Sequence, residues 1–559
     1  MFDPPGGVGA AMAVKGVCTV ATRVAAATGS SLALLAELAR ERVGDSSLLV
    51  FEDQRWTGSV LASRSNRLAS GLVTAGLRPG DPVVVCMANC PEVGISYNAV
   101  WRVGGVVAPV LFLIGEPELR HVLADSGARL VITTPEFLAK VLGAARGVPT
   151  VTAIVLAGGT PGSPGTPGAA AEPGDGGGDG EAGPVPPVLD FAELEAGDEA
   201  PLLDTPSAEM AALLYTGGTT GRSKGVVLSH DALSAAAWAA HLARQQDSPD
   251  VGLPPVGLSP LPLSHVYGLT ISVMALHAPG PSTAVLMRWF DPVGWLTLVA
   301  RHGVHSSALV PSMVRMLLEV PVEEYETGSL HKVVSGSAPL PREVSLEWAR
   351  RLPHATLAEG YGCTEVAAIA TSTPGSAVRL GSVGRPAAGV EVRIELDDGT
   401  WATAGETGEI CLRGPSLMSG YWHAPEETAR TLRGGWLHTG DVGRLDEDGY
   451  LYVVDRIKDV IIRNGFNVYP RDVEDVLLTH PDVIACGVVG RPDPAHGEEV
   501  VAFVQLAPGA AVTPADLVAY ARERISAVKY PREVRIVDSV PLTGVLKTDR
   551  KALRSLLDN

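Results

Sequence analysis

The sequence predicts an α/β fold: a large N-terminal domain of two α/β subdomains plus a small β-barrel-like subdomain, followed by a small α+β C-terminal domain. Three observations predict it. At 559 residues the chain is too long for a single hydrophobic core. Apolar runs of strand length alternate with amphipathic helical stretches, the pattern of largely parallel sheets covered by helices. From about Val390 the segments shorten and turns multiply, which reads as an antiparallel or barrel-like unit up to residue 454.

Taken in order, residues 1–28 are rich in Gly, Ala and Val without periodicity and read as a poorly ordered lead-in to a domain spanning 29–454. Ser31 to Val43 reads as an amphipathic helix closed by Gly44, and Arg55 to Gly76 contains a second helix carrying Leu61, Leu68 and Leu72 on one side. Val83–Cys86 is a strand, Pro91–Val103 a helix, Val106–Val110 a strand, Glu116–Ser126 a helix and Arg129–Thr133 a strand. Residues 157–187 offer nothing apolar to bury and read as a disordered, low-complexity surface insertion. The rhythm resumes with the strand Thr283–Met287, the helix Pro292–Arg301 and the strand Ser307–Val310. Residues 455–459 form a junction. Beyond it, 460–559 read as Val460–Val468, helix Pro470–Leu478, strands at Val483–Val489 and Val500–Gln505, and helix Pro514–Ile525.

The formal charge of −18 argues against broad binding to nucleic-acid phosphates while leaving room for a local basic pocket. The six cysteines form no Cys-x-x-Cys pair, and no His-Glu-x-x-His is present, so neither a structural zinc site nor a disulfide scaffold is expected. Scattered thiols without an export signal suggest a reducing cytoplasm. No apolar run is long enough to span a bilayer.

The chemistry centres on Tyr215-Thr-Gly-Gly-Thr-Thr-Gly-Arg-Ser-Lys-Gly225, between an apolar strand at Met210–Leu214 and a helix for which Ser229 is the N-cap candidate. Glycines let backbone N–H groups converge on phosphate oxygens, the hydroxyls add donors, and Arg222 and Lys224 add positive charge. It is not a Walker A loop, because Lys224 stands between Ser223 and Gly225. Four further stretches carry candidate groups. His265 lies in an apolar, turn-rich segment where a core or capping role is the more ordinary reading. Glu359-Gly-Tyr-Gly-Cys-Thr-Glu365 joins flexible backbone, an aromatic face for a base and carboxylates for Mg²⁺. Trp436-Leu-His-Thr-Gly-Asp441 offers a carboxylate suited to ribose hydroxyls, and Lys547 follows a turn near the C-terminus.

In this order, and together with Gly381-Ser-Val-Gly-Arg-Pro386, Asp455-Arg-Ile-Lys-Asp459 and Asn464–Glu474, these stretches resemble the adenylate-forming superfamily of acyl-CoA synthetases, adenylation domains and luciferases. The resemblance runs from about residue 30 to the C-terminus and is greatest to bacterial medium- and long-chain fatty acyl-CoA synthetases. It implies a carboxylic acid activated by ATP as acyl-AMP, then transferred to a thiol by a mobile C-terminal domain. By the same match, Thr216, Gly217, Gly218, Thr219, Thr220, Gly221 and Lys224 would cradle phosphates, and Thr219 and Glu365 would hold Mg²⁺. Glu359, Gly360, Tyr361, Gly362 and Thr364 would bind the nucleotide, with Tyr361 stacked on adenine, and Asp441 with Arg456 would fix the ribose. Lys547 would reach the substrate carboxylate and α-phosphate. Lys458 would be the hinge, with Asn464 and Gly465 lining the thiol channel after rotation. His265 would gate the passage between the acid pocket and that channel.

Ser223, Gly217, Cys363 and Leu546 depart from the commoner family residues. The pocket-wall candidates His265, Val266, Gly336, Ser337, Ala338, Gly360 and Cys363 are mostly small or apolar, which suits an acyl chain or a planar aryl acid. The match to Ser264–Tyr267 brings no carboxylate for a substrate ammonium, so an amino acid is not expected. A short dicarboxylate would need a dedicated cation, which the sequence does not place. CoA is the expected thiol. A carrier-protein phosphopantetheine and a weakened, non-enzymatic acyl- or nucleotide-binding role are the alternatives.

Overall fold

The computed structural model describes residues 29–158, 183–216, 223–247, 254–373, 377–543 and 548–557. The lead-in, most of the 157–187 insertion, Gly217–Arg222 and Val545–Lys547 lie outside the described residues.

Two sheets carry the large domain. One has eight strands in the order Gly420–Tyr421, Lys224–Ser229, Met210–Thr216, Val106–Pro109, Pro82–Cys86, Leu130–Thr133, Ala153–Leu156 and Val188–Asp190. It is parallel from Met210–Thr216 onward. Four of its strands, Pro82–Cys86, Val106–Pro109, Leu130–Thr133 and Ala153–Leu156, are buried along their whole length, because helices cover both faces. Among them the helix Pro91–Arg102 buries Trp101, whose indole N–H donates to Ala211 O at 2.9 Å. The other sheet has seven strands: Thr356–Glu359, Lys332–Ser335, Ser306–Leu309, Val256–Ser259, Thr283–Leu286, Leu48–Phe51 and Gln54–Thr57. A five-stranded antiparallel sheet over Glu391–Arg456 supplies the barrel-like unit. The C-terminal unit is a second five-stranded sheet flanked by the helices Pro470–Leu478 and Pro514–Arg524.

Most predicted elements stand within one or two residues of their expected bounds, and Ser31 and Gly44 cap the helix Leu32–Val43. Three stretches carry strands that the spacing did not resolve. Gln54–Thr57 is a strand antiparallel to Leu48–Phe51, and the helix begins only at Gly58, with the Thr57 hydroxyl accepting from Val60 N–H. Lys224–Ser229 is a strand paired antiparallel with Met210–Thr216, and Ser229 caps the helix His230–Asp247 that follows. Val460–Val468 is two strands, Ile461–Arg463 and Phe466–Val468, joined through Asn464 and Gly465 at φ 51° and 76°. Positive φ at both positions is what a two-residue hairpin requires, and Asn-Gly supplies it at little cost.

Candidate active site

The strands Lys332–Ser335 and Thr356–Glu359 run parallel and end side by side, Ser335 opposite Glu359. Their C-terminal ends release Gly336–Ala338 and Gly360–Gly362 into a cleft, the place where open parallel sheets take ligands. Backbone strain is concentrated there: Ser337, Ala367 and Ala368 hold φ of 71°, 51° and 78°. Gly362 is obligatory, since a Cβ at that position would stand 1.8 Å from Ala368 O. The cleft opens into a cavity of about 2430 Å³ that also reaches Thr216, Lys224, His265, Val266, Cys363, Thr364 and Asp441.

Asp441 and Arg456 face each other across antiparallel strands. Arg456 Nε donates to Asp441 Oδ1 at 2.8 Å, and the Tyr361 hydroxyl donates to Oδ2 at 2.6 Å. The carboxylate is buried and aimed by two donors, and Asp441 in turn holds the guanidinium above its ordinary pKa. Burial, reinforced by Asp441, pushes the Tyr361 phenol well up, so it remains a donor. On the opposite wall the Tyr421 hydroxyl donates to Glu365 Oε1 at 2.8 Å, and Lys224 Nζ lies 5.7 Å from the Tyr421 ring centre. Lys224 also donates to Glu427 Oε1 at 2.8 Å. That pair is about one third exposed on each side, so a phosphate competes with it at small cost. Glu365 is a hard oxygen donor in the cleft and fits Mg²⁺, although its expected companion Thr219 lies outside the described residues.

His265 is the N-cap of the helix Val266–Leu276, its Nδ1 accepting from Tyr267 N–H at 3.3 Å. The capping reading is observed, and the cap holds the ring at the cavity wall. Glu359 lines the cleft, and its Oε2 accepts from Leu340 N–H at 3.4 Å. Burial pushes its carboxyl up to about 7, with Arg471 opposing. The Cys363 thiol is raised by burial and then by Glu365, which suits packing and excludes a resting thiolate.

A family model described as AMP-binding enzyme matches residues 36–422, and the AMP-binding enzyme C-terminal domain matches 472–547. A feruloyl-CoA synthase of an Amycolatopsis species is 35% identical over 492 residues, covering 87% of this chain and 91% of its own. A long-chain-fatty-acid–CoA ligase of Bacillus subtilis is 33% identical over 525 residues, 92% of each chain. Among solved structures, ATP-bound MatB from Rhodopseudomonas palustris superposes with a TM-score of 0.81 at 28% identity, covering 94% of this chain and 99% of that one. The chain belongs to the adenylate-forming, AMP-binding enzyme family.

In this AMP-binding enzyme the junction is a short 3₁₀ turn, Ile457–Asp459, with Lys458 at its centre. Thr543 and Thr548, which flank the Lys547 segment, line the cleft, whereas the exposed Asn464–Gly465 turn lies outside its lining. The geometry thus brings the nucleotide candidates together and leaves the thiol-channel candidates apart. Sequence reading missed Tyr421 and Glu427, which steer Glu365 and Lys224, because short strand and helix contacts leave no spacing signal.

Proposed function

We propose that this enzyme is an ATP-dependent acid–CoA ligase working in two half-reactions. A carboxylate oxygen attacks the α-phosphorus of ATP and pyrophosphate leaves. The CoA sulfur then attacks the acyl carbonyl and AMP leaves. The observation that carries this reading is the convergence in one cleft of the Tyr361–Asp441–Arg456 group with Lys224 and Glu365. Phosphoryl transfer needs positioning and charge neutralisation more than covalent help, and this arrangement supplies both.

In this reading Asp441 takes the ribose hydroxyls and Tyr361 offers its ring to adenine. Thr216 and Lys224 hold phosphate, and Glu365 with Thr219 holds the Mg²⁺ that shields it. Lys547 neutralises the α-phosphate as attack develops. Rotation about Lys458 then exchanges Lys547 for the Asn464–Gly465 turn. A fatty acid is the acid the sequence favours and an aryl acid is the alternative. Free thiols at Cys86, Cys90, Cys363, Cys411 and Cys486 accord with a cytoplasmic setting. Among the described residues no helix is long and apolar enough to cross a membrane.

The test is pyrophosphate release with ATP, Mg²⁺ and a panel of fatty, aryl and amino acids, with and without CoA. Release with one acid class plus a CoA thioester by mass is expected. Release without CoA product would transfer the acceptor role to a carrier protein. No release alongside measurable ATP binding would leave a binding protein.

A further inference from the structure

The barrel-like unit carries a second cluster of ligating groups. Across its strands Glu391–Glu395, Gly408–Arg413 and Trp436–Leu445, Glu395 pairs with Glu409 and Cys411 pairs with His438. Residues opposite each other on antiparallel strands share a face, as do residues two apart on one strand, so these four side chains converge. Their ligating atoms all lie within 4.8 Å of one another. His438 Nδ1 is 3.1 Å from Glu409 Oε2 and 3.4 Å from both Glu395 Oε2 and Cys411 Sγ. One ring nitrogen holds a single proton or a single lone pair, so hydrogen bonding satisfies one of these neighbours and leaves the others crowded upon it.

The spacing suits a tetrahedral metal shell. Zinc bonds of about 2.3 Å to sulfur and about 2.0 Å to nitrogen or oxygen set the ligand atoms roughly 3.3 to 3.6 Å apart. Cys411 and His438 are buried, whereas both glutamates are partly exposed and open a path for an ion. Glu409 Oε1 accepts from Gly440 N–H at 2.9 Å, which aims Oε2 at the cluster. Arg433 Nη2 now bridges the carboxylates, 3.2 Å from Glu395 Oε2 and 3.3 Å from Glu409 Oε2. That side chain is half exposed, so a cation displaces it at small cost. A thiolate and two carboxylates leave a filled Zn²⁺ site with one negative charge, which Arg433, moved aside, offsets.

The cluster also has a place in the larger site. Between the pairs Glu409–Val442 and Cys411–His438 one strand has a single residue and the other has three, Thr439–Asp441. The four ligating groups therefore stand at the foot of the bulge that carries Asp441 to the cleft.

We propose that Glu395, Glu409, Cys411 and His438 form a Zn²⁺ site that staples three strands beneath Asp441. Sulfur and nitrogen among the ligands favour Zn²⁺ over Mg²⁺. Because three strands supply the ligands, no Cys-x-x-Cys or His-Glu-x-x-His spacing runs through them, and the expectation of no zinc site rested on that absence. Burial, then Glu409 and Glu395, pushes the Cys411 thiol up to about 12, with Arg433 opposing. On binding, the S–H bond breaks as the Zn–S bond forms, and the proton leaves to water.

The test titrates the full chain, stripped with chelator, with Zn²⁺ and with Co²⁺ as a spectroscopic probe. One equivalent of Zn²⁺ should survive dialysis. Co²⁺ should give a near-ultraviolet thiolate charge-transfer band that Zn²⁺ bleaches, and Cys411→Ser should abolish it. Zn²⁺ should raise the unfolding midpoint of the natural chain and leave that of Cys411→Ser unmoved. Glu395→Gln, at a partly exposed position, should weaken Zn²⁺ binding by about tenfold or more. Its metal-free circular dichroism should match that of the natural chain, which separates ligand loss from misfolding. The absence of a thiolate band, a band that survives Cys411→Ser, or an unchanged Zn²⁺ affinity in both variants overturns the proposal. Pyrophosphate release is a separate assay, so none of these outcomes bears on the ligase reading.

Discussion

Single side chains divide into those that hold nucleotide and those that hold the fold beneath it. In the proposed reading Lys547 belongs to the first group, and a cation aimed at developing phosphate charge lowers a barrier by a few kcal/mol. Lys547→Ala should cut adenylation about 10²-fold, read as pyrophosphate release, while thioester formation from preformed acyl-AMP suffers much less. Equal loss in the two assays would contradict the role. Glu359, a nucleotide-site candidate that lines the cleft, is also tied into the fold by Leu340 N–H. Its carboxyl stands at about 7 against the usual 4.5, so the fold favours the protonated form. That contribution is full below about pH 4.5 and is lost as the pH rises through about 7, an effect on the order of 3 kcal/mol. Glu359→Gln stays neutral and keeps an acceptor for Leu340 N–H. Its unfolding midpoint relative to the natural protein should therefore rise between pH 5 and pH 8, and a constant difference would contradict the account.

At the scale of elements, the junction and the hairpins matter most. The 3₁₀ turn Ile457–Asp459 is anchored on its small-domain side by Asp459, which accepts from Arg554 at 2.7 Å. Asp455 accepts from Arg471 N–H at 3.0 Å and would lose that contact on rotation. Lys458→Pro fixes φ at the hinge and should hold one domain arrangement. The expected outcome is that one half-reaction falls at least tenfold relative to the other, measured separately with pyrophosphate and with preformed acyl-AMP. Unimpaired turnover in both would remove the hinge from the mechanism. The element boundaries were largely legible because Gly, Pro, Ser and Thr punctuate them. The misses came where a short strand has no room for a period, as at Gln54–Thr57, and where a glycine-rich stretch joins two strands that only pairing reveals.

For the whole molecule, an acidic chain encloses a cleft whose named cations include Lys224, Arg456 and Arg244. Cleft walls from both domains mean that a bound acyl-adenylate analogue joins surfaces that unfolding separates. At a hundredfold excess over its Kd it should stabilise the folded chain by about 2.7 kcal/mol, read as a higher unfolding midpoint. An unchanged midpoint would show that the cleft does not bind the nucleotide.

The sequence by itself determined the α/β class and the site of the C-terminal unit, and it singled out the Gly-rich stretch as a phosphate-binding candidate and Tyr361, Glu365 and Asp441 as nucleotide-site candidates. Each rests on local information: hydrophobic period, turn chemistry, or residue types at short spacing. Only the tertiary structure decided that Tyr361 and Arg456 share the two oxygens of Asp441, that Tyr421 holds Glu365, and that Arg244 packs against Gly257. These are contacts between residues distant in the chain, set by strand register and by which face a helix turns inward. Neither leaves a mark on spacing along the sequence.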